Sequence, residues 1–233
     1  MAKAETTATK IEQFLAQASG SELIIATDDS GVEVNLVNSR LRFHHSFISG
    51  PLPLRAAQPG QAITRACNNK QRNINRLLDL TAGWGADSLT LASHGKRITV
   101  LEQNELVFAI LAYSHGRLAA SANGAAIAQR MSIENCHALN YLNHLEDDHD
   151  YDCIYLDPMF PGHKSGAKPA KEMQILQAIT ANLEMESCFE QALGKARKRV
   201  VIKRPAKSAS YNDIKPDLVY REKTIRFDVY LTA

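Results

Sequence analysis

Two short stretches of the chain carry residue types at spacings that chemistry would need. The first is Leu77-Leu78-Asp79-Leu80-Thr81-Ala82-Gly83-Trp84-Gly85-Ala86-Asp87. An apolar run too short for a helix ends in a loop with two glycines, which reach backbone angles closed to other residues, and an apolar helical pattern follows. Strand, tight turn and helix in that order place backbone N–H groups in the crevice beyond the carboxyl end of a strand in an open α/β sheet, where nucleotide-like ligands sit. A dinucleotide fingerprint wants a third glycine three positions after Gly85, and the chain has Ser88 there. Asp79 and Asp87 flank the loop with carboxylates, which repel a pyrophosphate and suit a cation. S-adenosylmethionine has a sulfonium, an ammonium and no phosphate. The competing reading is structural, with Asp79 capping a turn and Asp87 favouring the helix dipole.

The second stretch is Ile154-Tyr155-Leu156-Asp157-Pro158-Met159-Phe160-Pro161. A buried strand delivers Asp157 to the carboxyl edge of the sheet, and two prolines stiffen the loop around an aromatic ring. This set suits methyl transfer to an exocyclic amine. The lone pair of such a nitrogen is delocalised into its ring, so acceptors must hold the N–H hydrogens and turn the lone pair toward the methyl group. Asp157 and the carbonyl of Pro158 can supply two acceptors, and Phe160 can stack on a base that has been flipped or splayed out. Alignment then accounts for most of the acceleration. A turn followed by a helix start is the competing reading for Asp-Pro.

Glu102 ends another strand, 17 residues past Gly85, where Rossmann-like folds place a carboxylate that accepts hydrogen bonds from ribose hydroxyls. Asn135-Cys136-His137-Ala138 ends the next strand, near the adenine edge in that architecture, and a lone histidine there is also a common structural feature. Lys164, Lys168 and Lys171 form a basic loop after the Asp-Pro stretch. A second basic cluster, Lys195 to Arg204, surrounds the following strand and puts Lys203 and Arg204 at its carboxyl end. Phosphate contact and plain solvation are both open for these clusters.

The elements that must position these groups alternate. Strands are expected at 97–102, 131–136, 152–156 and 199–203. Helices are expected at 86–93, 105–120, 138–145 and 169–196, and in the second of these Val107, Ile110, Leu111, Ser114 and Leu118 form the covered stripe. This is an α/β domain with a parallel sheet. Runs at 218–220 and 225–231 are separated by only Arg221-Glu222-Lys223-Thr224, so they pair antiparallel. Ahead of the domain, residues 1–10 read as a frayed start, 10–18 as a short helix, and 22–27 with 32–37 as a hairpin around Asp28-Asp29-Ser30-Gly31. Residues 39–47 interleave basic and aromatic side chains, as base stacking with phosphate pairing would use or as an edge strand with a solvated basic face. His44 and His45 are adjacent and point apart on a strand, which argues against a paired-histidine metal site. Gly50-Pro51-Leu52-Pro53 and Pro59-Gly60 punctuate a connector, and 61–67 reads as a short helix. Two units follow: a small N-terminal α+β subdomain over 1–60 and the main domain over 61–233.

A chain of 233 residues is too short for two full-sized domains. With 27 basic and 25 acidic residues and a net charge of +2, any nucleic-acid contact must come from local clusters. Four cysteines show no zinc-like spacing, and no metal is expected. With no signal-like start and no apolar run near the ~18 residues a membrane span needs, a cytoplasmic location without membrane contact is expected.

These motifs resemble the ribosomal RNA small-subunit methyltransferase J family over about residues 75 to 232. The resemblance rests on Asp79-Leu-Thr-Ala-Gly-Trp-Gly, Leu101-Glu102, Tyr155-Leu-Asp-Pro-Met-Phe-Pro, Lys171-Glu172-Met173, Val201-Ile202-Lys203-Arg204-Pro205 and Arg226-Phe227-Asp228-Val229-Tyr230. It implies a class I, Rossmann-like methyltransferase with a mostly parallel seven-stranded sheet and an antiparallel C-terminal pair. It further implies S-adenosylmethionine-dependent methylation of the N2 amine of one guanine, guanine 1516, in 16S rRNA of the small ribosomal subunit, with no obligate protein partner. Cofactor positions would fall at Asp79, Gly83, Gly85, Ala86, Asp87, Glu102, Gln103, His137, Ala138 and Asp157. The chain departs from the family pattern at Ala86, where members carry arginine, and at His137-Ala138, where they carry small hydroxyl residues. Other readings are an amino methylase for DNA adenine or a small molecule, a nicotinamide-dependent oxidoreductase, and an RNA-binding module without catalysis.

Overall fold

The N-terminal segment builds a three-stranded antiparallel sheet behind one helix. Helix α1 (Ala2–Ala18) starts well before the expected Lys10, and β1 (Leu23–Thr27), β2 (Val32–Leu36) and β3 (Leu41–His45) pair in that order. The structure, a computed structural model, describes residues 2–18, 23–37, 41–68, 73–146, 151–158, 171–180 and 185–232. The β1–β2 hairpin closes as the turn chemistry demands, with the Asp28 carboxylate accepting the N–H groups of Ser30 (2.7 Å) and Gly31 (2.9 Å).

Strand β3 lies at the edge of this sheet with Arg42 and His44 exposed and His45 fully buried. Its rings do not wait for a base: Phe43 packs on Trp84, with centroids 5.1 Å apart, and Phe47 is buried beside His45. Over the described residues 41–47 the edge-strand reading fits, and the Phe43 and Phe47 rings are taken up by packing that base stacking would need free.

Two short helices, α2 (Pro51–Ala56) and α3 (Ala62–Ala66), occupy the connector. The prolines expected to break structure instead begin α2, because proline in the first helical turn lacks only an N–H that has no intrahelical partner.

The main sheet has seven strands in the order β6-β5-β4-β7-β8-β10-β9. In chain order they are β4 (Arg76–Asp79), β5 (Arg97–Glu102), β6 (Met131–Asn135), β7 (Cys153–Leu156), β8 (Arg199–Pro205), β9 (Leu218–Arg221) and β10 (Ile225–Leu231). The first five run parallel, and β10 pairs antiparallel with both β8 and β9. All four residues of β7 and the first four of β8 are buried. That explains their continuous apolar sequence, since a parallel strand is covered on both faces.

Helices α4 (Ala86–Ser93), α5 (Glu105–Ala120), α6 (Ala125–Ala128), α7 (Ala138–His144), α8 (Lys171–Ile179) and α9 (Met185–Lys195) cover the sheet. The expected stripe of α5 is buried from Val107 to Leu118, and burying each such leucine or isoleucine contributes about 1.5–3 kcal/mol. The helical stretch expected over 169–196 is two helices, α8 and α9. Leu15, Ile25, Val32 and Val34 share one hydrophobic cluster with Val107 and Ile110 of α5 and Ile175 of α8. The N-terminal sheet is thereby fixed to the elements that frame the glycine loop.

Candidate active site

Four parallel strands end at one edge of the sheet, and each delivers a charged residue there: Asp79 from β4, Glu102 from β5, Asp157 just past β7, and Lys203 from β8. Together with the start of α4 and the facing side of α8 they border a cleft of about 940 Å³. That volume lies at the upper end of the range for small-molecule sites. Of the expected positions, Asp79, Gly83, Ala86, Asp87, Glu102, Gln103, Asp157 and Pro158 border it. Six carboxylates line its walls against the three cations Arg55, Lys203 and Arg204, so the field inside favours a positively charged ligand and opposes a pyrophosphate.

The glycine loop is shaped from three sides. Gly85 caps α4 in the left-handed region (φ 71°), a conformation that costs other residues about 1–2 kcal/mol. A Cβ there would lie 2.5 Å from Leu111 Cδ1 and 2.9 Å from Phe47 Cζ. Gly85 therefore serves packing behind the cleft wall, while Gly83 (φ 52°) borders the cleft itself. His45 holds the Trp84 carbonyl through Nε2 (2.7 Å) and bonds Ser114 Oγ through Nδ1 (3.0 Å). Burial with no anionic partner pushes its pKa down to about 3, so the ring is neutral, donates from Nε2 and accepts at Nδ1. On the opposite side the Trp84 indole N–H donates to the Glu172 carbonyl of α8 (2.9 Å).

Asp79 is buried at the floor. Its carboxylate accepts the Thr81 N–H (3.0 Å) and the Ser88 hydroxyl (2.5 Å), and burial pushes its pKa up to about 7 despite these bonds. Ser88, which breaks the dinucleotide fingerprint, thus has a positive role as the donor that fixes Asp79. Glu102 accepts the Gly83 N–H on one oxygen (2.9 Å) and the Asn104 N–H on the other (2.8 Å). Burial shifts its carboxyl above the ordinary range. With about four lone-pair positions on a carboxylate, it can brace the loop and still accept from a diol.

At the centre, Lys203 Nζ stands 2.8 Å from Asp157 Oδ2 and 2.9 Å from Asp87 Oδ2. Burial works against its charge, yet the two carboxylates outweigh that and hold the ammonium above the usual lysine range. Asp87 also accepts the Tyr155 hydroxyl (2.6 Å). Burial opposes its charge as well, but Lys203 and Tyr155 prevail and hold it below the ordinary value. Burial dominates at Asp157, which sits above it. The Asp157 N–H donates to Thr81 Oγ1 (2.6 Å), which fixes the end of β7 to the glycine loop.

Other expected residues have different partners from those expected, two of them, Lys203 and Arg204, on the cleft wall itself. His137 caps α7 by accepting the Leu139 N–H, Ala138 is buried, and neither borders the cleft. Lys203 is engaged by carboxylates instead of facing an open phosphate surface. Arg204 is only 8% exposed, lies 5.1 Å over the Tyr211 ring and donates to the Ala209 carbonyl (2.9 Å), so it holds the loop after β8. Lys171 is exposed at the start of α8. Phe160, Lys164 and Lys168 lie outside the described residues. Sequence reasoning missed Tyr155, Thr81 and Trp84 as parts of the site, and the only signal for them was their place within the two motifs.

The family model of SAM-dependent methyltransferases, SAM_MT, matches residues 9–232. Ribosomal RNA small subunit methyltransferase J of Thioalkalivibrio sulfidiphilus is 32% identical over 99% of this chain and 93% of its own length. The protein of that name from Psychromonas ingrahamii is 37% identical over 79% of this chain and 74% of its own. The chain belongs to the ribosomal RNA small subunit methyltransferase J family. A crystal structure of a SAM-dependent methyltransferase from Neisseria gonorrhoeae superposes with a TM-score of 0.72 at 25% identity, covering 95% of this chain and 91% of that one. The protein is thus a methyltransferase that takes its methyl group from S-adenosylmethionine. The cleft fits that donor: it is carboxylate-rich, it has an acid at the β5 terminus for a ribose, and Gly83 leaves room for close approach. Among the described residues no helix is long and apolar enough to cross a membrane, and no cluster of His, Cys, Asp or Glu could hold a metal ion.

Proposed function

We propose that this methyltransferase modifies the exocyclic N2 amine of guanine 1516 in 16S rRNA, acting in the cytoplasm on the small ribosomal subunit. The observation that carries the reading is the position of Asp157: it ends the buried strand β7, reaches the same cleft as Glu102 and Gly83, and is followed by Pro158 on the cleft wall. The relatives' names support ribosomal RNA as substrate.

When bound, S-adenosylmethionine supplies a methyl group on a positively charged sulfur that departs as a neutral thioether. Glu102 would accept the ribose hydroxyls, and the acidic walls would favour the ligand's cationic end over any phosphate. Asp79, Gly83, Ala86, Asp87 and Gln103 would complete that half of the cleft. His137 and Ala138, at the turn from β6 into α7, would lie beyond the residues that border the cleft, at the adenine end of the ligand.

Asp157 accepts one amine N–H and the Pro158 carbonyl the other, which turns the nitrogen lone pair out of conjugation and toward the methyl carbon. Phe160 would stack on the base and hold its plane. As the nitrogen–carbon bond forms and the carbon–sulfur bond breaks, the surplus amine proton passes to the Asp157 carboxylate and on to water. The test is transfer of labelled methyl to 30S subunits or 16S rRNA lacking the modification, with mass mapping of the product. One methylguanine at the expected nucleotide supports the reading. Label on DNA adenine, or none on rRNA, refutes it.

A further inference from the structure

We infer that Lys203 is a positioning residue for methyl transfer: bridged between Asp87 and Asp157, it holds one oxygen of Asp157 so that the other is presented, ionised, to the substrate amine. This rests on the proposed role of Asp157. The Lys203 ammonium contacts Oδ2 of Asp157 and Oδ2 of Asp87 at 2.8 and 2.9 Å. Among the described residues, no hydrogen bond engages Oδ1 of Asp157. Asp87 is in turn anchored by the Tyr155 hydroxyl at 2.6 Å, so the bridge is fixed at its far end to β7, the strand that carries Asp157. The three side chains come from α4, β8 and the end of β7. A contact of this kind sets both the rotamer and the charge of Asp157.

The charge matters because an amine N–H needs an anionic acceptor, and a protonated Asp157 would offer a donor on one oxygen. Burial and the neighbouring carboxylate Asp87 favour the protonated form. Lys203 opposes them, with Arg55 acting on Asp87 from α2. Tyr155 faces the same cluster from β7, and Glu102, Glu172, Glu186 and Arg204 face the cleft from β5, α8, α9 and β8. An opposite charge within about 4–6 Å moves a carboxyl by about 1–3 pH units.

The experiment measures kcat against pH at saturating S-adenosylmethionine for the wild-type protein, Lys203→Met, Lys203→Arg and Asp87→Asn. Lys203→Met moves the acid limb up by about 1–3 pH units, so its loss of kcat is at least tenfold larger at the acid end than on the alkaline plateau. Lys203→Arg restores a cation and brings the limb back. Asp87→Asn removes the competing anion and leaves Lys203 to Asp157 alone, which moves the limb the other way, to lower pH. A role limited to packing would not give opposite shifts in the two variants, and the Asp87→Asn arm decides the matter if Lys203→Met does not fold. An active wild-type enzyme whose variants lose activity equally at every pH overturns this inference alone. A wild-type protein that methylates no rRNA overturns the proposed function and this inference with it.

Discussion

Replacing Gly85 with alanine tests whether the glycine loop is held by the packing described. Two costs arise at that residue. A left-handed φ of 71° costs an alanine about 1–2 kcal/mol. The new Cβ would also meet Leu111 Cδ1 at 2.5 Å and Phe47 Cζ at 2.9 Å. Both side chains are fully buried, so relief needs movement of a packed core, at about 1–3 kcal/mol. Together these give about 2–5 kcal/mol against a typical total of roughly 5–15. At about 2–4 °C per kcal/mol for a chain of this size, the melting temperature should fall by roughly 4–20 °C. Gly83→Ala is the internal comparison. It shares the backbone cost (φ 52°) but meets only Leu176 Cδ2 at 3.1 Å, so it should cost less stability. Because Gly83 borders the cleft, it should cost more S-adenosylhomocysteine affinity per degree of melting lost. Thermal melts by circular dichroism and calorimetric titration read both quantities. A Gly85→Ala protein that melts within a degree or two of wild type would refute the packing argument.

Other substitutions should report on single buried groups. His45 has its pKa pushed down to about 3. The unfolded chain therefore binds a proton below about 6.5 that the folded one refuses, and stability from this group rises with pH from 3 to 6.5. Asp79, pushed up to about 7, does the reverse: the folded state keeps its proton longer, and stability falls as pH rises from about 4 to 7. Asp79→Asn should therefore steepen the loss of stability on acidification between pH 7 and 4, as read by urea melts at several pH values. An unchanged pH profile would show that Asp79 titrates normally. Asp228→Ala should cost about 3–5 kcal/mol, because it strands Arg226, which it pairs at 2.8 and 2.9 Å inside the core. The same guanidinium holds the carbonyls of Ala206, Ser208 and Ala209, so limited proteolysis should find this loop newly sensitive, and resistance would argue that other contacts secure it. His45→Phe should cost about 1–3 kcal/mol by orphaning the Trp84 carbonyl, and a melt unchanged from wild type would show that the bond to the loop carries no stability.

Much of the fold was legible because its signals are local. The turn residues of the β1–β2 hairpin, the apolar stripe of α5 and the four-residue gap before β10 each specify their element from neighbouring residues alone. Asp79, Glu102 and Asp157 were found because strand-end carboxylates next to glycine or proline loops have a fixed place in open α/β sheets. What remained hidden depends on which distant residues meet. Nothing in Lys203-Arg204-Pro205 tells that Lys203 turns to Asp87 and Asp157, 116 and 46 residues earlier, while its neighbour lies over Tyr211. A basic pair beside a crevice reads as a phosphate site until its partners are known. His45 in a run of basic and aromatic residues reads as a surface feature, and only the packing of β3 against Trp84 buries it. Pro51 reads as a breaker because the same residue that stops a helix inside can start one. His137 drew attention as a polar residue at a strand end, where it proves to cap α7.

The account stands on Asp157 as the acceptor of the substrate amine. The direct measurement compares Asp157→Ala with wild type, taking S-adenosylhomocysteine affinity by calorimetry and methyl transfer to unmodified small subunits in the same preparations. With S-adenosylmethionine saturating, transfer should fall by about 10²–10⁴-fold, the range expected for loss of a positioned proton acceptor, and by far more than S-adenosylhomocysteine affinity does. A variant that binds and methylates as wild type does would contradict the account.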